Sequence, residues 1–492
     1  MARDPGAVPG QPGPALAVVH RGPGLSPTGW GLDGLPSDWE SVGLLHLPKA
    51  EIRTMQDRLL RTTIDLCYRA HPFYRGRMHE AGLTPGDIGG VDDLANFPLT
   101  YKREFLNDPE AFRLEPLSEL PLEARVLREV MYTTGTTTGQ PAPLYTTTFD
   151  YYAYAIQAAR AARVLGMGDS DVIANVFPLT PFPMGAYLRA QATAAAIGAS
   201  MILAHPGRPS EALDIHRGLD EVVRLIERQH ATVIWGVASF VRRILLRAED
   251  IGADFTAVRM CLVTGESISG AMKDDMRRHL VALGSAHGRI VNRYGSTEGT
   301  TLIECEGGAG WHNPSPEQIF METVDVETGE RLEGGAPGLL LITHLMRRGT
   351  VLLRYALGDV VELDTGPCPG CRQTVDRVVA QPIRTKDLIK IKGTLVNLEA
   401  LKAALDGMDG LQEYQIIVTK QQADDPFSPD QLVVRAAGSP PQAELERRIA
   451  EVAMNLVQIR PVVEVVRPDD IFNPMTDSKP ERLVDRRPAL GE

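Results

Sequence analysis

The stretch Asn292-Arg-Tyr-Gly-Ser-Thr-Glu-Gly299 directly follows the short apolar run Arg289–Val291. A strand that ends in this way places an aromatic ring, two hydroxyls and a carboxylate at the carboxyl edge of a sheet. Ligands bind at that edge in open α/β folds. The stretch therefore predicts a binding site on a sheet, and the alternative interpretation is an ordinary turn with a solvated glutamate.

Short apolar strands alternate with amphipathic helices around this stretch. The strands that the pattern predicts are Val172–Phe177, Met201–Ala204, Thr232–Val237 and Ala257–Val263. The predicted helices are Gly185–Ile197, Asp220–Gln229 and a third that ends near Ala248, with Ser239 as its candidate N-cap. Such alternation indicates an α/β domain with a mostly parallel sheet.

Length and composition limit the kinds of protein that this chain can be. At 492 residues the chain exceeds one compact core and indicates two or more domains. Its formal net charge of -12 disfavours nonspecific binding to nucleic acid. No run approaches the ~20 apolar residues of a membrane span, and the Pro- and Gly-rich start has no secretory core. We therefore expect a disordered tail over residues 1–36 and a cytoplasmic protein.

A second, smaller domain is predicted after a boundary between Ile383 and Asp387. The pattern there changes to strands at Tyr414–Thr419, Leu432–Arg435 and Val462–Val466, with a helix at Pro441–Gln458. This is typical of an α+β domain of about 110 residues. We therefore predict a large domain over residues 37–383 and a small domain over residues 384–492.

The segment Tyr132-Thr-Thr-Gly-Thr-Thr-Thr-Gly-Gln-Pro141 carries two glycines and five threonines within Thr133–Gly139. Glycine lets backbone N–H groups turn toward an anion, and threonine hydroxyls add donors without charge. The segment therefore predicts a polyphosphate clamp, or else a polar surface turn. It is not a Walker loop, because the chain has no GxxxxGK[ST].

Three further charged motifs follow, namely Arg354-Tyr-Ala-Leu-Gly-Asp359, Arg384-Thr-Lys-Asp-Leu-Ile-Lys-Ile-Lys-Gly393 and Asp477-Ser-Lys-Pro-Glu-Arg482. Each motif alone is typical of a charged turn. In this order, the five motifs resemble those of the adenylate-forming superfamily, from about Asp38 to Arg487. The resemblance implies a large N-terminal adenylate-forming domain with parallel-rich sheets and a mobile C-terminal α+β lid.

The resemblance also implies a nucleotide site. The β- and γ-phosphates of ATP would be held by the Gly/Thr loop: Thr133, Thr134, Gly135, Thr136, Thr137, Thr138 and Gly139. The adenine would be bound by residues that follow two strands: Gly265, Glu266, Tyr294 and Gly295. The ribose would be bound by Asp359, which suits two hydroxyl donors, and approached by Arg384.

Three residues are implied in the chemistry itself. Thr297 would touch the α-phosphate, Glu298 would hold Mg²⁺, and Lys479 would bridge the substrate carboxylate and the α-phosphate. Two anions meet in this reaction, so positive charge has to neutralise their repulsion. No general base is needed, because the attacking carboxylate is already ionised at pH 7.

Four side chains predict a structural zinc site: Cys305 and His312, seven residues apart, and the pair Cys368 and Cys371. Three thiolates and an imidazole match a closed tetrahedral site. A redox pair is the alternative for the CxxC, although no thioredoxin-like context surrounds it. Together with His71-Pro-Phe-Tyr-Arg75, this set resembles the phenylacetate–coenzyme A ligase branch of the superfamily.

The resemblance implies ATP- and Mg²⁺-dependent adenylation of an aromatic or arylacetic acid, followed by transfer to coenzyme A. The acceptor stays open, because the stretch after Gly393 lacks an aromatic-proline pair often seen in the family. A carrier-protein thiol, an amine or nitrite are alternatives, and nitrite would give ATP-dependent diazotisation of an aryl amine in secondary metabolism. A nucleotide-binding regulatory protein is the non-enzymatic alternative.

The sequence does not name the acid, but it indicates the character of the pocket that would bind it. The candidate pocket residues are apolar or aromatic: Tyr132, Phe177, Phe182, Met184 and Ala238. No basic residue marks a second carboxylate in the substrate. The two remaining thiols, Cys67 and Cys261, are predicted to lie in the core. A homodimer is the default expectation for such an enzyme.

Overall fold

A computed structural model describes residues 40–133, 141–178, 185–207, 216–266, 268–299, 301–384, 388–391, 394–422, 428–457, 459–473, 477 and 480–487. The predicted tail, the loop residues Thr134–Gly139, the pocket candidates Phe182 and Met184, and Lys479 lie outside these residues.

The helices are α1 (Lys49–Ala70), α2 (Pro72–Glu80), α3 (Lys102–Asn107), α4 (Leu122–Arg125), α5 (Thr148–Val164), α6 (Gly185–Ile197), α7 (Leu219–Arg228), α8 (Ala238–Asp250), α9 (Gly270–Ala282), α10 (Glu399–Asp406), α11 (Gln442–Val457) and α12 (Pro468–Ile471). Short 3-10 turns cover Val42–His46, Pro85–Asp87, Asp93–Asn96 and Pro109–Phe112.

The strands are β1 (Leu127–Tyr132), β2 (Pro143–Thr147), β3 (Val172–Asn175), β4 (Ser200–Leu203), β5 (Val233–Val237), β6 (Met260–Thr264), β7 (Arg289–Gly295), β8 (Thr301–Glu304), β9 (Trp311–His312), β10 (Ile319–Val324), β11 (Pro337–His344), β12 (Tyr355–Asp364), β13 (Arg377–Val378), β14 (Ile383–Arg384), β15 (Leu388–Ile391), β16 (Thr394–Asn397), β17 (Leu411–Lys420), β18 (Asp430–Gly438), β19 (Val462–Val465) and β20 (Leu483–Asp485).

One 12-stranded sheet dominates the larger part of the chain. Its order is β10-β11-β12-β13-β9-β8-β7-β6-β5-β3-β4, and β14 pairs with β12. The strands β4, β3, β5, β6 and β7 are parallel, whereas the pairs from β7 through β8 to β10 are antiparallel. The predicted α/β class is confirmed, and the predicted parallel strands end within two residues of the observed ones.

The parallel half of the sheet is covered on both faces. All five residues of β5 and all five of β6 are buried, as parallel strands flanked by helices require. Cys261 belongs to this core, and Cys67 lies in a second core between α1 and the antiparallel strands. Burial raises the pKa of both thiols, which confirms the prediction that they are core side chains.

The predicted capping role of Ser239 is wrong. The helix α8 begins at Ala238, and its N-cap, Val237, makes no side-chain hydrogen bond. Instead, the N–H of Ser239 donates to the carboxylate of Glu266, which arrives from the end of the neighbouring strand β6. A distant carboxylate thus satisfies a donor that sequence patterns assign to a local cap.

The small C-terminal part has its own sheet and core. Its four strands have the order β19-β18-β17-β20, and its core packs the helices α10 and α11 against them. It contacts the large part through Arg243, which donates to the carbonyl of Phe472 over 3.0 Å. The boundary near Ile383 stays a prediction, although β14 extends the large sheet as far as Arg384.

In the described part of the chain, no helix is both long and apolar enough to cross a membrane.

A buried ion pair holds α5 against the loop before β10. Arg160 and Glu317 are both fully buried, and the guanidinium Nη1 lies 3.0 Å from the carboxylate Oε2. The same nitrogen donates to the carbonyl of Pro314 over 2.6 Å. Two buried charges are tolerated here because each compensates the other and both are hydrogen-bonded.

We expect Arg160→Met to lower the free energy of unfolding of the large domain by about 3–5 kcal/mol, since it leaves Glu317 buried and unpaired. Chemical denaturation followed by tryptophan fluorescence measures this change. The double variant Arg160→Met/Glu317→Leu should recover much of the loss. The matched surface variant Arg277→Met removes an exposed pair with Asp274 in the large part of the chain and should leave stability nearly unchanged. Equal losses in both single variants would contradict the assignment.

Candidate active site

A cavity of about 690 Å³ opens at the carboxyl ends of β5, β6 and β7. Eight of the predicted site residues line it: Thr133, Gly265, Glu266, Tyr294, Gly295, Thr297, Glu298 and Asp359. They come from four separate segments of the chain. The described residues of the site therefore meet at one place.

The register of β6 against β7 sets the nucleotide side of the cavity. Thr264 pairs with Arg293, and its hydroxyl donates to the carbonyl of Arg293 over 2.7 Å. The next residue, Gly265, turns away with φ +90°, a conformation that favours glycine. Both strands thus end at the same level and present their following residues to the cavity.

A bulge in strand β12 sets the position of Asp359, the candidate ribose-binding residue. Leu339 of β11 pairs with Val360, but Leu341 pairs with Ala356, so β12 contains extra residues around Gly358. Gly358 has φ +87°. Such bulges bend a strand and redirect its side chains. The Tyr294 hydroxyl donates to Asp359 Oδ2 over 2.5 Å, which joins the adenine and ribose candidates directly.

Glu298 is a buried carboxylate held by two side chains. It is 3 % exposed; Lys102 Nζ lies 3.0 Å from its Oε1, and the Tyr355 hydroxyl lies 3.4 Å from the same oxygen. Burial opposes ionisation, but the Lys102 ammonium and these hydrogen bonds lower the pKa of Glu298 below its ordinary value. The carboxylate is therefore ionised at neutral pH, as a ligand of a divalent cation must be.

His344 fixes the backbone on which Glu298 sits. Its Nδ1 accepts from the N–H of Leu352 over 3.1 Å, so the proton is on Nε2. That nitrogen donates to the Glu298 carbonyl over 2.8 Å. Burial lowers the pKa of His344 to about 3, so the ring stays neutral and keeps this tautomer. His344 is thus a positioning residue.

The segment after Lys479 reaches the cavity from the small domain. Pro480, Glu481, Arg482 and Leu483 line the cavity, and the N–H of Ile416 donates to the Arg482 carbonyl over 2.8 Å. Arg384 is described only in its backbone, which pairs opposite Asp359. The roles of Lys479 and Arg384 stay predictions.

Two pocket candidates were displaced by one position. Phe177 lines the cavity, but Tyr132 and Ala238 do not; their neighbours Met131 and Val237 lie there instead. Tyr132 belongs to β1, where successive residues face opposite sides, and Ala238 is the first residue of α8, one position past the end of β5. Lys102 and His344 were missed altogether, because neither belongs to a local motif.

Comparison with known proteins agrees with this geometry. The family model described as "AMP-binding enzyme" matches residues 92–347, just over half of the chain. The chain belongs to the AMP-binding enzyme family. It is an AMP-forming ligase of the adenylate-forming superfamily, in its phenylacetate–coenzyme A ligase-like branch.

Curated relatives and solved structures support this placement. The phenylacetate-coenzyme A ligase of Thermus thermophilus is 26% identical over 387 residues, which cover 76% of this chain and 80% of the relative. That of Escherichia coli is 25% identical over 382 residues, covering 75% and 80%. A crystal structure of 2-hydroxyisobutyryl-CoA ligase has a TM-score of 0.73 at 20% identity and covers 89% of this chain and 90% of its own, which shows the shared fold.

The four predicted zinc ligands of this AMP-binding enzyme lie together. The ligand atoms of Cys305, His312, Cys368 and Cys371 are all within 4.8 Å of one another. Cys305 Sγ and Cys368 Sγ are 4.0 Å apart, and Cys371 Sγ lies 3.6 Å from His312 Nε2. Tetrahedral zinc with usual bond lengths requires about 3.8 Å and about 3.6 Å for such pairs. The donor set and its spacing therefore fit zinc.

Two glycines allow the loops that carry the candidate zinc ligands to approach neighbouring backbone closely. A Cβ on Gly307 would lie 2.7 Å from the Cα of Gly370, and one on Gly310 would lie 2.3 Å from the Val378 carbonyl oxygen. Backbone would have to move in both cases. The close approach of these loops is therefore built into the sequence and supports a closed, structural type of site.

We expect the purified enzyme to carry one zinc ion per chain and Cys368→Ser to lose it, with a fall of several degrees in the melting temperature because the site adds to folding free energy. Elemental analysis and thermal denaturation measure both effects. The matched variant Cys67→Ala removes a thiol outside the cluster and should keep the zinc content. Full stability of a metal-free wild type would show that the cluster is not structural.

Proposed function

We propose that the enzyme adenylates an aromatic or arylacetic acid with ATP and Mg²⁺ and transfers the acyl group to coenzyme A. The observation that carries the proposal is the convergence of the described site residues on one cavity at the carboxyl edge of the sheet. The adenylate would form within reach of both domains, since residues 480–483 line the same cavity.

The first step brings a carboxylate to the α-phosphorus of ATP with release of pyrophosphate. Thr133 anchors the start of the phosphate loop, because its hydroxyl accepts from the N–H of Ala142 over 3.0 Å. Thr297 would donate to the α-phosphate, and Lys479 would neutralise the meeting anions. Mg²⁺ on Glu298 would supply further positive charge to the phosphates. Asp359 and Tyr294 would hold the adenosine in place.

Two observations support an aryl acid. The cavity lining includes large apolar and aromatic side chains: Met131, Tyr154, Phe177, Trp311, Ile319 and Met346. Such a lining favours a flat, apolar substrate body. The curated relatives named phenylacetate-coenzyme A ligase support both the arylacetic acid and the coenzyme A acceptor.

We expect the wild type to form AMP and a coenzyme A thioester from ATP, Mg²⁺ and a member of a panel of aryl and aminoaryl acids, detected by mass spectrometry. Lys479→Ala should abolish both products, because repulsion between the two anions is then uncompensated. Parallel reactions with nitrite or an amine test the other acceptors. A diazo product formed only with nitrite, or an adenylate formed without a thioester, would show that coenzyme A is not the acceptor. Undiminished activity of Lys479→Ala would refute its role.

We expect Glu298→Gln to lower kcat for adenylation about 10²–10³-fold, since it keeps the shape but removes the charge that binds Mg²⁺. Acid-dependent exchange of pyrophosphate into ATP measures this step. Raised Mg²⁺ concentration should restore part of the rate, which a purely structural role would not allow. The control Glu306→Gln alters an exposed carboxylate nearby and should leave exchange unchanged. Wild-type exchange by Glu298→Gln would disprove the assignment.

A further inference from the structure

Two guanidinium groups line the cavity in addition to the candidate nucleotide residues. Arg189 belongs to α6, and Arg347 to the turn between β11 and β12. Arg189 lies over the ring of Tyr154, 4.1 Å from its centroid. Neither arginine belongs to the nucleotide site or to the zinc site, so neither has a part in the chemistry described above.

The position of Arg189 relative to Thr297 follows from helix α6. A Cβ on Gly185, at the start of α6, would lie 3.9 Å from Thr297 Cγ2 and 3.8 Å from Met131 Sδ. Arg189 follows four residues later on the same face, about 6 Å further along the helix. Arg189 therefore lies about one turn of α6 beyond the glycine that faces Thr297, within reach of an acid activated there.

One of the two guanidinium groups has a buried donor without a partner among the described residues. Arg189 pairs with Glu129 over 3.1 Å. Arg347 Nε reaches the Thr350 carbonyl at only 3.5 Å, and its buried Nη2 has no hydrogen-bond partner among the described residues. No carboxylate of those residues lies within 4.0 Å of Arg347.

The nearest acidic side chain is already occupied. Asp150 is buried, and its carboxylate accepts from three backbone N–H groups, those of Thr147 at 3.0 Å, Arg348 at 2.7 Å and Gly349 at 2.8 Å. These bonds hold it at the start of α5 and direct it to the backbone. Arg347 therefore keeps a guanidinium edge for a ligand.

We propose that the acid carries a second carboxylate at its far end, which Arg347 and Arg189 bind, so that the enzyme selects an aryl dicarboxylic acid. The inference rests on the proposed adenylation and makes its substrate class specific. A guanidinium presents two parallel N–H donors that match a carboxylate. Burial lowers the pKa of Arg347, and a ligand anion would relieve that cost.

Three acids of one shape test the proposal: phenylacetic acid, 4-carboxyphenylacetic acid and its neutral 4-carbamoyl analogue. Acid-dependent pyrophosphate exchange gives kcat/KM for each. We expect the wild type to favour the 4-carboxy acid over the other two by about 10- to 100-fold, the selectivity of one buried charged hydrogen-bonded contact. Arg347→Met and Arg189→Met should each bring this ratio close to one, and Arg347→Lys should restore part of it.

Two further variants separate recognition from folding. Arg128→Met changes an exposed arginine on the same strand as Glu129 and should keep the wild-type ratio. Glu129→Gln frees Arg189 from its partner and should raise the preference for the 4-carboxy acid, an effect that a structural role would not produce.

The possible outcomes distinguish this inference from the proposed function. Exchange with phenylacetic acid but no preference for the 4-carboxy acid overturns the inference and leaves adenylation intact. A preference that survives in both Arg→Met variants also overturns it. Failure of all three acids to drive exchange overturns the inference together with the proposed arylacetic substrate.

Discussion

The parallel pairing of β6 with β7 is the constraint on which the site depends. It places the ends of the two strands side by side, so that Gly265 directly follows β6 and Tyr294 lies in the last two residues of β7. Asp359 arrives from β12, four strands away in the sheet order. Four steps in a flat sheet would separate the strands by about 19 Å. The 2.5 Å hydrogen bond between Tyr294 and Asp359 therefore requires the sheet to curl between β7 and β12.

Charge inside the cavity follows from the same geometry. Glu298 is buried, so water stabilises its charge poorly. It stays ionised because Lys102 of α3 lies 3.0 Å from its carboxylate and further hydrogen bonds add to that stabilisation. Lys102 stands almost 200 residues earlier in the chain. The fold thus brings together the opposite charges that keep the carboxylate of Glu298 ionised.

Features that depend on local sequence pattern could be predicted from the sequence, whereas features that depend on the pairing of distant strands could not. The alternation of strands and helices predicts the α/β class, and Gly265, Tyr294 and Glu298 line one cavity because they lie at or just after the ends of β6 and β7. Tyr132 and Ala238 were misplaced by one position, because the facing of a residue is set by its pairing and not by its hydrophobicity. Lys102, His344 and Arg347 are contributed by distant segments, and no local spacing indicates them.

The candidate zinc ligands lie along the part of the sheet that curls. Cys305 follows β8, His312 belongs to β9, and Cys368 and Cys371 lie in the loop that joins β12 to β13. These strands fill the order between β7 and β12, which carry Tyr294 and Asp359. A metal bound there would cross-link the curved region and oppose its flattening. The metal cluster would then help to hold Tyr294 and Asp359 close together. In this way it would couple the stability of the fold to nucleotide binding.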